Sequence, residues 1–239
     1  MMDLAQLNFC PVLVEMLDSR KAVGREGKVY EGLAALSTLN NLLCLRRLMM
    51  ELRPTRTLEV GLSFGGSCLV FTASHRDLGR PGAGQHTALD PFQSSVWQDC
   101  GVLAVERAGL TEFLDMRHAS SQLELPKFIS EGESFDLVYV DGSHLFEDVF
   151  VDAYFITRLL SEGGVVAFDD SANPNVAKVL RFLRKNLREA LSEVDLAPYR
   201  ADGDGWGYRM GRLLGKVQLT AFKRVGNCER EWNAPFVSF

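Results

Sequence analysis

The chain has 239 residues, 46% of them hydrophobic, and a formal charge of −5. That length fits one α/β domain with at most an N-terminal extension, and the apolar content is too high for a disordered chain. The acidic balance argues against nucleic-acid binding, and no apolar run reaches the roughly 18–20 residues of a membrane span. An acid at position 3 and no basic segment before the first apolar run argue against a signal peptide. The five cysteines, at 10, 44, 68, 100 and 228, form no C-x-x-C pair. The expectation is reduced, buried thiols in a cytoplasmic protein.

Residues 1–54 read as a helical extension, since ALSTLNNLLCLRRLMMELRP has helical apolar spacing and stops at Pro54. From 55 to 225 the texture changes to short apolar runs alternating with helical patterns. RTLEV (56–60), HTALD (86–90), FLDMR (113–117), FDLVYVD (135–141) and GGVVAFDD (163–170) read as strands. Helices are expected near 66–76, 94–109, 146–160 and 174–190. The last of these carries Lys178, Arg181, Arg184, Lys185 and Arg188 opposite Val179, Leu180, Leu183 and Leu187, which reads as a solvated helix face. EVDLAPY and KVQLTAFKR form a final pair with no helix between them long enough for a crossover, so that pair is expected to be antiparallel. A tail, 226–239, follows. The alternation predicts a doubly wound, mostly parallel sheet with helices on both faces.

In such sheets the ligand sits beyond the carboxyl ends of the strands, and four of the five expected parallel strands end in an acid. These ends are Glu59-Val60-Gly61, Asp90, Asp141 through His144, and Asp169-Asp170. The first runs into EVGLSFGGSCLVF, where Gly61, Gly65 and Gly66 allow a tight turn and a close approach of backbone to ligand. A nicotinamide-binding loop would read G-x-G-x-x-G, but Ser63 stands in place of the middle glycine. Glu59, two residues before Gly61, would face a diphosphate badly and a cationic ligand well. Asp90 could accept hydrogen bonds from both hydroxyls of a ribose.

E-V-G-L-S-F-G-G-S is similar to the first motif of class I S-adenosylmethionine-dependent methyltransferases, in the form of the catechol and caffeoyl-coenzyme A O-methyltransferase group. FDLVYVDGSHLFEDVFVDAYFITRLLSEGGVVAFDD resembles that group's fourth strand, linking helix, Gly-Gly turn and acidic strand end. Asp-Gly-Ser-His brings it nearest to the macrolide-sugar branch. The resemblance covers roughly residues 30–225 and implies a seven-stranded sheet with the last strand antiparallel. It implies S-adenosyl-L-methionine as cofactor, held by Glu59, Gly61, Ser63, Gly65 and Ser67 at the methionine end. Asp90 would lie at the ribose, Ala119 and Ser121 at the adenine, and Asp141 beside the bound cofactor. An insert, RDLGRPGAGQ, lengthens the path to the second strand.

In the metal-dependent members of that group, acids ending the fourth and fifth strands bind a divalent cation. The matching positions are Asp141, Asp169 and Asp170, the last replacing the group's more usual asparagine, with Asn173 and Asn175 as further amide ligands. Hard oxygen donors suit Mg²⁺, Mn²⁺ or Ca²⁺. His144 matches the position of the group's basic lysine and is the expected general base toward a substrate hydroxyl. His75, His86 and His118 lack such neighbours in the sequence and read as structural. Trp206, Tyr208 and Arg209, in the 199–212 loop, could cover a substrate, and an ordinary surface hairpin reads equally well. The expected activity is O-methylation of a hydroxyl on a small molecule. A nicotinamide oxidoreductase and a non-catalytic cofactor-binding protein stand as alternatives, and a homodimer built on the N-terminal helices stays open.

Overall fold

The computed structural model describes residues 4–201, 208, 210, 211 and 217–239. Helix α1 (Pro11–Ser19) is followed by a hairpin, β1 (Lys21–Val23) and β2 (Val29–Glu31), and by α2 (Leu39–Leu52). The hairpin corrects the expectation of helix throughout residues 1–54. Gly24 and Gly27 turn the chain, with Gly24 N–H donating to the Lys28 carbonyl at 2.8 Å and Gly27 at φ 83°. β-Branched Val23 and Val29 flank that turn, and this was the sequence signal for strands. Thr38 caps α2 by accepting from the Asn41 amide at 3.2 Å.

Seven further strands make one sheet. They are β3 (Thr57–Val60), β4 (His86–Leu89), β5 (Leu114–Arg117), β6 (Phe135–Val140), β7 (Leu160–Phe168), β8 (Leu191–Val194) and β9 (Thr220–Arg224). Their order is β5-β4-β3-β6-β7-β9-β8. The pairs β3–β4, β4–β5 and β6–β7 are parallel, and β9 runs antiparallel to both β7 and β8. β3 and β4 are buried at every position and β6 at all but one, as expected of parallel strands covered on both faces.

The connecting helices are α3 (Gly66–Asp77), α4 (Cys100–Arg107), α5 (Ser121–Ser130), α6 (Phe146–Leu159) and α7 (Pro174–Asn186). α4 starts six residues later than the sequence periodicity predicts, because residues 91–99 form turns. The expected apolar face of α7 is found: Val176, Val179, Leu180 and Leu183 are buried while its basic residues face outward. All five cysteines are free and buried. Burial pushes the Cys44 thiol up to about 12 and the Cys100 thiol up to about 11. Among the described residues no helix is long and apolar enough to cross a membrane.

By internal contacts the chain forms two compact units, Met1–Ser120 with Tyr199–Ala201, and Ser121–Pro198 with Asp202–Phe239. In the first, α2 packs on α3 and α1 on α4, so the N-terminal elements share a core with β3 and β4. In the second, α5 packs on α6 and α6 on α7.

Candidate active site

In the first unit, the chain leaving β3 turns through three left-handed residues: Gly61 at φ 91°, Ser63 at 47° and Gly65 at 83°. Alternation of this kind points successive backbone N–H groups inward and makes a concavity for an anion. Here the anion is a side chain. Asp90, at the end of β4 and buried, accepts at Oδ2 from the amides of Leu62 (3.2 Å) and Ser63 (2.9 Å) and from Gln93 Nε2 (3.1 Å). Its Oδ1 accepts from the Phe92 amide at 2.8 Å. Gln93 also donates to the Ser63 carbonyl at 2.6 Å. A diphosphate would meet amides already committed to a carboxylate, and a negative charge where it needs a positive one.

Gly65 is required by space as well as by φ. A Cβ there would lie 2.9 Å from both Cα and O of Gly101 in the first turn of α4. The Gly65–Gly101 contact lets the loop lie directly on that helix. Trp97 packs edge-on against Phe64 of the loop at 4.9 Å and Tyr30 packs on the same ring at 5.7 Å, whereas Phe92 is exposed.

Glu59 lies in the core of this unit with no solvent exposure. Its Oε2 accepts from Ser67 Oγ at 2.6 Å, and its Oε1 lies 3.1 Å from His86 Nε2 without hydrogen-bond alignment. On the other side of the imidazole, His86 Nδ1 is 2.9 Å from Thr57 Oγ1, which is 2.9 Å from His75 Nε2. Glu59 and Ser67, both expected at the cofactor, therefore bond each other and tie the first turn of α3 to β3. His86, which has no charged company in the sequence, faces Glu59 and stacks on Phe71. Glu59, Cys68 and His86 bring donors within 4.8 Å of one another. Burial and the neighbouring Glu59 push the Cys68 thiol well above its ordinary range, so this cluster reads as a polar brace around a protonated thiol.

In the second unit, β6 runs into Asp141 and β7 into Asp169-Asp170. Asp141, His144 and Asp170 bring one donor atom each within 4.8 Å of one another. His144 Nε2 lies 2.7 Å from Asp170 Oδ2, and the two side chains are 47% and 33% exposed. Asp170 sits at φ 47°, a left-handed conformation that aspartate tolerates, and Gln218 Nε2 donates to its Oδ1. Asp169 is buried. Its Oδ1 accepts from the Asp170 amide at 2.7 Å, and its Oδ2 accepts a short hydrogen bond from Tyr139 Oη. That hydroxyl is also 3.2 Å from Asp141 Oδ2.

The donor cluster thus differs in one member from the expected Asp141, Asp169 and Asp170, with His144 taking the place of Asp169. Asn173 and Asn175 serve the backbone: Asn173 caps α7 through the Asn175 amide, and Asn175 Nδ2 donates to the His144 carbonyl at 3.0 Å. The carboxylates of Asp141 and Asp170, part-exposed and convergent, fit a hard divalent cation that keeps positions for water and substrate, with the His144 imidazole beside them.

Ser121 is buried at the start of α5 and bonds Asp152 of α6, while Ala119 is half-buried in the first unit. Asp152 is itself buried, and desolvation raises its carboxyl to about 6. Much of the expected covering loop, residues 202–207, 209 and 212 with Trp206 and Arg209 among them, lies outside the described residues. Tyr139, Gln93, Gln218 and Asp152 were not singled out in the sequence. Tyr139 had a usable signal, being two residues before Asp141 and so on the same face of β6.

Residues 58–171 match the family model described as a methyltransferase domain. A rhamnosyl O-methyltransferase of Mycobacterium bovis is 24% identical over 147 residues, covering 59% of this chain and 56% of that protein. The chain therefore matches little more than half the length of this curated relative. Among solved structures, the O-methyltransferase from Bacillus cereus in complex with SAH superposes with a TM-score of 0.61 at 15% identity, over 95% of this chain and 92% of that one. An O-methyltransferase from Streptomyces achromogenes involved in tomaymycin synthesis, solved with SAM, gives 0.59 at 16%, with the same coverage. These two likenesses establish the fold.

Proposed function

Given a methyltransferase domain over residues 58–171, we propose that this chain is an S-adenosylmethionine-dependent O-methyltransferase. Its acceptor is a hydroxyl on a small molecule, and the rhamnosyl relative favours a sugar hydroxyl. The observation that carries the reading is the glycine loop itself, whose inward amides are spent on the Asp90 carboxylate with Glu59 buried beneath. Such a loop suits a cationic sulfonium nucleoside and repels a diphosphate.

When bound, the cofactor supplies an electrophilic methyl group, and a divalent cation lowers the pKa of the acceptor hydroxyl. Gly61, Ser63 and Gly65 would hold the methionine end, and Asp90 would accept hydrogen bonds from the ribose hydroxyls. Asp141, Asp169 and Asp170 would hold the cation. His144 takes the hydroxyl proton, and Asp170, 2.7 Å from its Nε2, orients the imidazole and stabilises the charge it gains.

The direct test supplies methyl-labelled S-adenosylmethionine with a panel of deoxysugar, sugar and catechol acceptors, with and without a chelator. The proposal expects transfer to an oxygen of one acceptor class, abolished by chelation and restored by Mg²⁺. Transfer that survives exhaustive chelation removes the cation from the account. Cofactor binding without transfer to any hydroxyl-bearing class contradicts the O-methyltransferase reading.

A further inference from the structure

The geometry points to Tyr139 as a positioning residue that holds two carboxylates ready for a divalent cation. This rests on the cation reading above and deepens it. Tyr139 is fully buried in β6, and Asp141 follows it two residues later on the same strand face. In the register of β6 with β7 the residue opposite Tyr139 is Ala167, whose small side chain leaves the ring room. The Asp169 amide donates to the Val140 carbonyl at 2.9 Å and continues the ladder one step past β7. Asp141 and Asp169 therefore leave adjacent strand ends with the Tyr139 hydroxyl between them. Oη bonds Asp169 Oδ2 and lies 3.2 Å from Asp141 Oδ2.

A tyrosine hydroxyl has one proton to donate. Here that proton is shared between Asp169 Oδ2 and Asp141 Oδ2. One hydroxyl thus ties two acids at adjacent strand ends, and removing it takes a hydrogen bond from each. Groups that orient metal-binding side chains in this way change metal affinity by about 10- to 100-fold.

The experiment uses the full chain and Mn²⁺ alone, with free Mn²⁺ followed by electron paramagnetic resonance in wild type, Tyr139→Phe and Asp141→Asn. S-adenosylhomocysteine affinity is measured on the same samples. The expected result is Mn²⁺ binding by wild type, weakened about 10- to 100-fold in Tyr139→Phe, with nucleoside affinity unchanged. Equal or tighter Mn²⁺ binding by Tyr139→Phe, with Asp141→Asn defective, overturns the role of Tyr139 and leaves the cation reading standing. Parallel loss of Mn²⁺ and nucleoside binding would make Tyr139 a packing residue and also overturns it. A wild type that binds the nucleoside but no Mn²⁺ defeats the cation reading, and the proposal falls with it.

Discussion

The two acidic centres of this molecule are built on opposite terms. In the first unit the carboxylates are buried and already bonded. Asp90 accepts four hydrogen bonds, two of them from amides of the glycine loop, and Glu59 is enclosed by Ser67 and His86. In the second unit Asp141, His144 and Asp170 are half-exposed, and His144 Nε2 lies 2.7 Å from Asp170 Oδ2. The difference teaches where rigidity and chemistry are placed. On the proposed reading, a cofactor common to many reactions would meet a preformed wall, while the acceptor and the cation would meet groups that still have coordination and proton capacity to offer.

The contrast breaks most clearly through rate. His144→Ala should lower methyl transfer by about a hundred- to ten-thousand-fold, the usual worth of a general base. Its melting temperature should hardly move, since a half-exposed ion pair contributes only about 0–1 kcal/mol. Calorimetric melting beside single-turnover transfer separates the two, and a stable variant with full activity would end the assignment of His144.

Asp90→Ala should behave in the opposite way. It strands the Leu62 amide in a buried site and the Ser63 and Phe92 amides in part-buried ones, where an unsatisfied group costs about 1–3 kcal/mol. Denaturant unfolding should show a loss of at least about 3 kcal/mol, accompanied by weakened S-adenosylhomocysteine binding. A variant as stable as wild type would mean that the loop is not held by this carboxylate.

The smallest effect lies in Asp152 of α6, which bonds Ser121. Its folded-state carboxyl is raised to about 6 from the ordinary 3.8. Folding thus favours the protonated form, and stability should fall as pH rises from about 4 to 6. Two pKa units correspond to at most about 3 kcal/mol. Asp152→Asn should flatten that slope and match or exceed wild-type stability above pH 6. Unfolding curves at pH 4.5 and 7 decide it, and an unchanged slope in the variant would assign the titration elsewhere.

Much of this was legible in the sequence because parallel strands are continuous apolar runs that end abruptly in acids. FDLVYVD and GGVVAFDD gave β6, β7 and the three acids at their ends, and EVGLSFGG gave the loop. The final antiparallel pair followed from the lack of a crossover helix. The β1–β2 hairpin was missed because its strands are three residues long and lie between two strongly helical patterns. The partners of the charged groups were less visible, since they arise from register and helix docking. Nothing in the sequence placed His86 against Glu59, Gln93 and the loop amides on Asp90, or Asp152 on Ser121. Tyr139 alone could have been read from alternation along its own strand.

The central claim is that the glycine loop is built for an S-adenosyl nucleoside and against a diphosphate. The most direct measurement is a calorimetric titration of the purified chain with S-adenosylhomocysteine, with NAD as the parallel ligand and Mg²⁺ present throughout. The account predicts saturable binding of S-adenosylhomocysteine and none of NAD. Binding of NAD alone would contradict it, since a diphosphate would then have displaced the Asp90 carboxylate from the Leu62 and Ser63 amides.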